Sequence, residues 1–246
     1  MNRVLFFNKK AGKISDRTFD RKGEGGMVTY EDIRHNPAVR SLIEAGNSAL
    51  DVVGYTDHGY AHVGLTAKVA GDILEALGYD ARTCELARIA GYMHDIGNAI
   101  NRSNHAMSGA LLAFNLLRDL GMEIAEITAV ITAIGNHDEH TAAAVTPITA
   151  ALILADKGDV RRSRVRSQPG SQRFDIHDRV NYAVEESSLT VDRETKRICL
   201  SIRIDTSHCA VMDYFEIFLT RMTLCRSAAE FLGLTFELNI NETRML

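Results

Sequence analysis

A helix that ends in a histidine–aspartate pair is the feature that most constrains what this chain can fold into. Residues 81–96 carry apolar side chains at helical spacing, and His94 and Asp95 stand near their end, just before Gly97. Both side chains are ligands for divalent metal ions. Neighbours on a regular helix point about 100° apart, so they share one ion only if the turn is distorted; otherwise the carboxylate lies between two ions. The glycine predicts a helix end, and a capped end with a hydrogen-bonded histidine is the alternative.

The same helical periodicity recurs on both sides of this pair. Glycines and polar turns separate the periodic segments, and a threonine–proline pair at residues 146–147 predicts the start of the last one. The pattern predicts helices over residues 41–53, 61–77, 81–96, 105–120, 123–134 and 146–159. We therefore expect an all-helical domain over residues 27–165, a usual size for one domain.

The pattern changes after this domain. Two alternating segments joined by a polar turn predict a β-hairpin, and a long amphipathic helix and a third alternating segment follow. The predicted elements are a short helix over 178–186, strands over 189–191 and 197–204, a helix over 210–232 and a strand over 234–240. The expected fold is therefore mainly α: a helical bundle followed by a small C-terminal α+β unit, residues 173–246, whose role stays open. Its strands are also expected to offer a sheet edge for a homodimer.

The first 26 residues differ from the rest. They are polar and basic and contain several glycines just before Met27. This composition predicts a flexible tail, or a leader with Met27 as the natural start.

Composition excludes several classes of protein. Hydrophobic residues make up 46% of the 246, and the net charge is −4 with no lysine- or arginine-rich block. Nucleic acid is therefore not expected as the main partner. The apolar runs are too short and too interrupted to span a bilayer, so no membrane is expected either. Four scattered cysteines without CxxC spacing indicate a reduced, cytoplasmic protein.

Imidazoles and carboxylates recur near the ends of the predicted helices. Buried histidine and aspartate cost free energy unless they are paired or bound to metal. A single histidine of this kind is more often solvated or satisfied in a core, but the series is hard to explain in that way. The candidate metal ligands are His62, His94, Asp95, His105, His137 and Asp156.

The order His62, His94-Asp95, Asp156 resembles the ligand set of the HD-domain metal-dependent phosphohydrolase superfamily over roughly residues 55–160. His105 and His137 resemble the additional histidines of the members that hold two metals. The chain departs from the cyclic-di-GMP phosphodiesterase branch, since no Gly-Tyr-Pro motif follows His137. It also has Asn98 where many relatives have lysine, so the substrate stays open.

The resemblance implies a fold, a cofactor and a reaction. A metal-activated hydroxide would hydrolyse a phosphoester or phosphoanhydride of a small phosphorylated molecule, expected to be a nucleotide. His94 and Asp95 would be catalytic, with Asp95 between two divalent ions; His62 and Asp156 would complete the first site, and His105 and His137 the second. A mixed nitrogen and oxygen ligand set suits Fe, Mn, Co, Ni or Zn.

Three other interpretations remain open. One is a single-metal enzyme that uses only His62, His94, Asp95 and Asp156. Another is a metal-dependent ligand-binding or sensor module without turnover. In the third, the histidines only stabilise a helical bundle through their contacts. Metal counting and a substrate screen separate the three.

Basic side chains near the ligands are candidates for substrate binding. Lys157 adjoins Asp156, Arg161 follows on the same predicted helix, and Arg102 lies between the histidine–aspartate pair and His105. Each is either a phosphate clamp or a solvated surface charge, the commoner fate of such residues. Two interpretations stay open for four further residues: each either contacts the metal ligands from outside or is exposed to water. These residues are His58, Asp138, His140 and Asp159.

Overall fold

Helices dominate the computed structural model, which describes residues 3–6, 27–167 and 174–245. This confirms the prediction of a mainly α fold. The helices are α1 Tyr30–His35, α2 Pro37–Val52, α3 Tyr60–Leu77, α4 Ala81–Met93, α5 His105–Asp119, α6 Ile124–Gly135, α7 Pro147–Gly158, α8 Ile176–Ala183 and α9 Val211–Phe231. Short 3₁₀ turns cover Ile96–Ala99 and Arg162–Arg164.

Side-chain caps fix where several helices begin. Asn36 accepts hydrogen bonds from two amides in the first turn of α2, and Asp80 accepts one from the amide of Thr83 in the first turn of α4. Thr146 caps α7, with proline at the first helical position, as the sequence predicted. Such caps satisfy amides that have no partner inside the helix.

The turn that carries the histidine–aspartate pair differs from the prediction. Helix α4 ends at Met93 rather than at Ile96, and Asp95 has φ −99° and ψ 2° before the 3₁₀ turn begins. The turn is therefore distorted, but Gly97 is not the residue that ends the helix. A Cβ on Gly97 would collide with the carbonyl oxygen of His105. This glycine is needed because two backbones approach each other there.

The C-terminal strands and one strand near the N-terminus form a five-stranded sheet in the described part of the chain, with the order β1-β2-β3-β4-β5. Its strands are β1 Arg3–Phe6, β2 Val184–Asp192, β3 Arg197–Ile204, β4 Thr235–Ile240 and β5 Thr243–Arg244. The β2–β3 hairpin is antiparallel, and α9 crosses over so that β4 pairs parallel with β3. Strand β2 includes the last three residues of the predicted helix 178–186, because Val184 pairs across the hairpin with Ile204.

Strand β1 lies within the segment expected to be a tail. It pairs antiparallel with β2, and the side chain of Leu5 is buried. Four residues are too few for a recognisable alternation, and the pairing partner lies more than 180 residues away, so the strand was missed. Residues 1–2 and 7–26 lie outside the described residues, and for them the tail or leader stays a prediction.

One hydrophobic core runs through both predicted parts of the chain. Helix α7 is buried from Ile148 to Gly158 and packs against α3, α4 and α9. The hydroxyl of Ser187 on β2 donates to the carbonyl of Gly158 at 3.2 Å. The sheet and α9 thus cover the helix that carries Asp156. Among the described residues, no helix has the length and apolarity that a bilayer crossing requires.

Candidate metal centre

Four buried histidines from four different segments converge at one point of the helical bundle. Nε2 of His62 lies 3.3 Å from Nε2 of His94, and the same distance separates Nε2 of His105 and Nε2 of His137. His62 lies in the first turn of α3, His94 follows α4, His105 begins α5 and His137 follows α6. Helix ends therefore deliver all four imidazoles to the same place.

The second nitrogen of each ring, Nδ1, has an oxygen partner. Three of these are carbonyl oxygens: that of Gly91 for His94 at 2.8 Å, that of Arg102 for His105 at 3.0 Å and that of Ile134 for His137 at 2.6 Å. The Nδ1 atom of His62 lies 2.7 Å from a carboxylate oxygen of Asp159. Because these oxygens only accept, the hydrogen of each neutral imidazole is placed on Nδ1.

This arrangement leaves a lone pair on every Nε2 atom. Two nitrogen lone pairs 3.3 Å apart repel each other unless a proton or a cation lies between them. The centre contains two such pairs, and all four rings are at most 2% exposed. Neutral imidazoles with the hydrogen-bonded Nδ1 and a free Nε2 are the usual state of metal-binding histidines.

The carboxylate of Asp95 lies between the two histidine pairs. One oxygen, Oδ2, is 3.2 Å from His94 and 3.7 Å from His62. The other, Oδ1, is 3.4 Å from His105 and 3.9 Å from His137. Each oxygen therefore faces a different pair of imidazoles.

Asp156 approaches only the first pair. Its Oδ1 atom lies 3.2 Å from Nε2 of His62 and 3.7 Å from Nε2 of His94, while its Oδ2 atom accepts from Lys157 at 2.7 Å. The structure thus brings all six candidate ligands together. The groups His62–His94–Asp156 and His94–Asp95–His137 each have ligand atoms within 4.8 Å of one another.

The charges and hydrogen bonds around the centre favour binding of a cation. Burial alone would raise the pKa of Asp95, but the charge and hydrogen bond of His94 outweigh it and hold that pKa well below its usual range. Burial likewise opposes ionisation of Asp156, yet Lys157 and the nearby imidazoles hold its pKa well below its usual range too. Burial, with the nearby charge of His94, lowers the pKa of His137. The carboxylates of Asp95 and Asp156 outweigh burial at His94 and raise its pKa, so without an ion His94 holds a proton that a bound ion would displace.

Sequence analysis left the role of Asp159 open, and the structure places it against His62. Asp159 is 1% exposed, and its carboxylate contacts both the imidazole and the guanidinium of Arg161. Its spacing of three residues from Asp156 was the available signal, since residues three apart share a helix side.

Asn98 helps to orient Asp95. Its amide donates to Oδ1 of Asp95 at 2.9 Å and to the Asp95 carbonyl at 3.0 Å.

The three candidate substrate-binding cations have different surroundings. The Arg102 side chain is 33% exposed, and its guanidinium lies 3.3 Å from Nε2 of His105 and 3.9 Å from Asp95. Lys157 is buried and paired with the metal-ligand candidate Asp156. Arg161 is buried and directed at Asp159. Arg102 is thus the one of these three whose charge reaches both solvent and the centre.

His58, Asp138 and His140 were left between two interpretations. The His58 ring lies 5.5 Å from the His62 ring, so it is an outer neighbour of the centre. Burial lowers the pKa of His58 well below its usual value. His140 is exposed, and Asp138 is half-buried near His105, whose pKa its charge tends to raise.

Similar proteins were found at the level of sequence and structure. An uncharacterized protein of Methanocaldococcus jannaschii is 25% identical over 172 residues, which cover 61% of this chain and 66% of that protein, just under two thirds of its length. The crystal structure of a predicted HD superfamily hydrolase from an uncultured Thermotogales bacterium matches with a TM-score of 0.39 and 25% identity, covering 53% of this chain and 73% of the other.

The family comparison concerns the segment that forms the centre. The sequence model of the HD domain matches residues 59–169, which include His62, Asp159 and every candidate ligand between them. The ligand order and the helical fold described above agree with that match. Residues 59–169 therefore match the HD domain, the family that the resemblance drawn from the sequence named.

Proposed function

We propose that this protein is a metal-dependent phosphohydrolase with two divalent ions, acting on a small phosphorylated molecule such as a nucleotide. The observation that carries the proposal is the position of Asp95, whose two oxygens face two separate pairs of imidazole lone pairs. His62, His94 and Asp156 would hold one ion with Oδ2 of Asp95, and His105 and His137 the other with Oδ1. Such ions lower the pKa of bound water to about 7 and offset phosphoryl charge.

The protein groups around the centre orient the ligands. The Asn98 amide holds Oδ1 of Asp95, and the Gly91 carbonyl holds the ring of His94, so both proposed catalytic side chains are fixed before an ion binds. The donor set contains nitrogen and carboxylate oxygen, which suits Fe, Mn, Co, Ni or Zn better than calcium.

Arg102 is the proposed contact for the substrate phosphate. Its guanidinium lies 5.5 Å over the ring of Tyr55, and the Tyr55 residue is 45% exposed. An arginine can bind phosphate with two hydrogen bonds, and an exposed aromatic ring can stack on a base. This pair supports a nucleotide as the substrate class. Lys157 and Arg161 would first have to leave their carboxylate partners, so they support the proposal less.

Metal analysis and a substrate screen test the proposal together. The purified protein is expected to bind two ions and, with Mn²⁺ or Fe²⁺, to hydrolyse a nucleotide or a generic phosphoester. Asp95→Ala should lose metal and lower turnover by at least about 1,000-fold, since it removes a ligand shared by both ions. Asp119→Ala, which changes an exposed carboxylate on α5, is the matched control and should leave both unchanged.

Three results would contradict the proposal. Full turnover by Asp95→Ala would exclude this centre as the site of chemistry. One ion per chain in the fully active protein would favour the single-metal enzyme. Tight nucleotide binding without turnover would favour the sensor module. A homodimer joined through the sheet and a cytoplasmic location stay predictions, and gel filtration with light scattering tests the first.

A further inference from the structure

We infer that Asp159 is a positioning residue that fixes the proton of His62 on Nδ1 and so strengthens the ion site formed by His62, His94 and Asp156. The inference rests on the proposed function, because it concerns the same metal centre. It assigns unequal strengths to the two ion positions and names the side chain that makes them unequal.

The contacts of His62 differ from those of the other three histidines. His94, His105 and His137 each place Nδ1 against a carbonyl three residues earlier in the chain. The partner of His62 lies 97 residues away and is a carboxylate. Both kinds of oxygen select the same tautomer, but a carboxylate carries a full negative charge, which makes the opposite ring nitrogen a stronger ligand.

The Asp159 carboxylate is itself held from the other side. Its Oδ1 atom accepts from Nε of Arg161 at 2.6 Å, while its Oδ2 atom faces His62. Arg164 donates to the Asp159 carbonyl at 2.9 Å and to the Asp57 carbonyl at 3.0 Å. Arg164 therefore joins the segment after α7, which carries Asp159, to the loop before α3, the helix whose first turn carries His62. Both partners are thus preorganised.

The number of ligands points in the same direction. The first position has four candidate ligands, His62, His94, Asp156 and one oxygen of Asp95. Apart from Asp95, the second has only His105 and His137 among the described residues. The first position should therefore fill at lower metal concentration.

An asparagine at position 159 could not accept the hydrogen bonds of both His62 and Arg161. Two N–H groups, from His62 and Arg161, point at the two carboxylate oxygens. An amide has one oxygen, so its NH₂ group must face one of these donors. Arginine cannot release its proton, whereas a neutral histidine can move its proton to the other nitrogen. In Asp159→Asn the His62 proton should therefore move to Nε2. That nitrogen would then have no lone pair with which to bind the ion.

The tautomer can be read directly without metal or activity. In ¹⁵N-histidine NMR spectra of the metal-free wild type, His62 should carry its proton on Nδ1, and in Asp159→Asn on Nε2. Co²⁺ titrations by calorimetry should show two binding events in the wild type. In Asp159→Asn the tighter event should weaken by about 10–100-fold, while the weaker event should change by less than about twofold. Asp159→Glu, which keeps the charge, should restore part of the affinity.

Asp72→Asn is the matched control. Asp72 is a buried, ion-paired carboxylate on the same helix as His62, ten residues or about 15 Å further along it. The Asp72→Asn substitution should lower the melting temperature without changing the affinity of either Co²⁺ binding event. If Asp159→Asn changed only the melting temperature, as this control does, the positioning role would be wrong.

The outcomes separate this inference from the proposed function. A wild-type protein that binds no Co²⁺ would contradict both. A wild type that binds two ions but carries the His62 proton on Nε2 would contradict only the inference, as would equal weakening of both binding events in Asp159→Asn. The wild-type spectrum remains decisive even if the asparagine variant does not fold.

Discussion

At the residue scale, the hydrogen bond that Asp95 receives from its own 3₁₀ turn comes from a neutral amide. The side-chain amide of Asn98 donates to the Oδ1 atom of Asp95. According to the resemblance drawn from the sequence, many relatives have lysine at the position of Asn98. A neutral donor orients the carboxylate without neutralising it. Asp95 therefore keeps its negative charge between the two histidine pairs.

Arg102 provides the test of substrate binding at this scale. Arg102→Gln removes a charge whose hydrogen bonds to phosphate are each worth about 1.5–3 kcal/mol, so kcat/KM should fall by about 10–100-fold. Arg102→Lys should retain part of the activity, and metal content should not fall, because Arg102 is not a ligand. The measurement is steady-state kinetics with the best substrate of the screen.

Arg118→Gln is the control for this change, since Arg118 is an exposed arginine on α5. An unchanged kcat/KM in Arg102→Gln would remove this arginine from the substrate site. A loss of bound metal would show that it acts on the ligands instead.

At the element scale, the centre depends on how α4 meets α5. The 3₁₀ turn Ile96–Ala99 runs so close to α5 that a Cβ on Gly97 would lie 2.6 Å from the amide nitrogen of Gly109. Asp95 precedes this contact, and His105 lies on its other side. The distance between the two histidine pairs is therefore set by backbone packing as well as by side chains.

Gly97→Ala tests that dependence. The added methyl group meets backbone atoms of α5, which cannot rotate away, so the free energy of unfolding should fall by at least about 1–3 kcal/mol. Bound metal should fall too, since Asp95 and His105 move apart. Thermal melting and metal analysis of the purified variant measure both effects.

Gly64→Ala in α3 is the matched control. Outside the adjacent residues and the backbone of its own helical turns, no atom lies within 4 Å of the position that its Cβ would occupy. Alanine is favoured over glycine in a helix by about 1 kcal/mol, so this variant should be as stable as the wild type or more so. Equal behaviour of the two alanine variants would contradict the close-packing explanation of Gly97.

At the scale of the whole molecule, the C-terminal unit packs on the helix that carries Asp156. Helix α9 lies against α7, and Arg221 of α9 pairs with Glu139 at 2.8 Å in the segment after His137. Cys225 on α9 is 1% exposed. The buried side chains of both predicted parts form one continuous cluster. The division of the chain into residues 27–165 and 173–246 stays a prediction.

Thiol labelling tests whether the two parts unfold together. Burial raises the pKa of Cys225 to about 12, so almost no reactive thiolate forms at neutral pH in the folded state. Half-buried Cys199 on β3 should react first with N-ethylmaleimide. Cys225 should react only in the urea range where Cys84, in the core of the helical domain, also reacts. Peptide mass mapping identifies each labelled cysteine.

Labelling of Cys225 at clearly lower urea than Cys84 would contradict a shared core. In that case α9 would separate from α7 while the helical domain stays folded. Cys84 serves as the internal reference, because it is a buried residue of α4 in the helical domain.

Much of the helical fold followed from the sequence because its signals are local. Apolar periodicity, the Thr146 cap and the glycine-containing turns depend on residues within one or two helical turns of each other. The six candidate ligands were also recognisable from their types, order and contexts. The structure brings all six together.

Only the tertiary structure decided which groups face each other. The pairing of His62 with His94 and of His105 with His137, the Asp159 carboxylate behind His62 and the placement of β4 beside β3 all join distant residues. Such contacts depend on how whole helices and strands pack, which no short window of sequence contains. The sequence alone therefore determined the helices and the chemistry of the candidate ligands, and packing decided the arrangement in which these ligands meet.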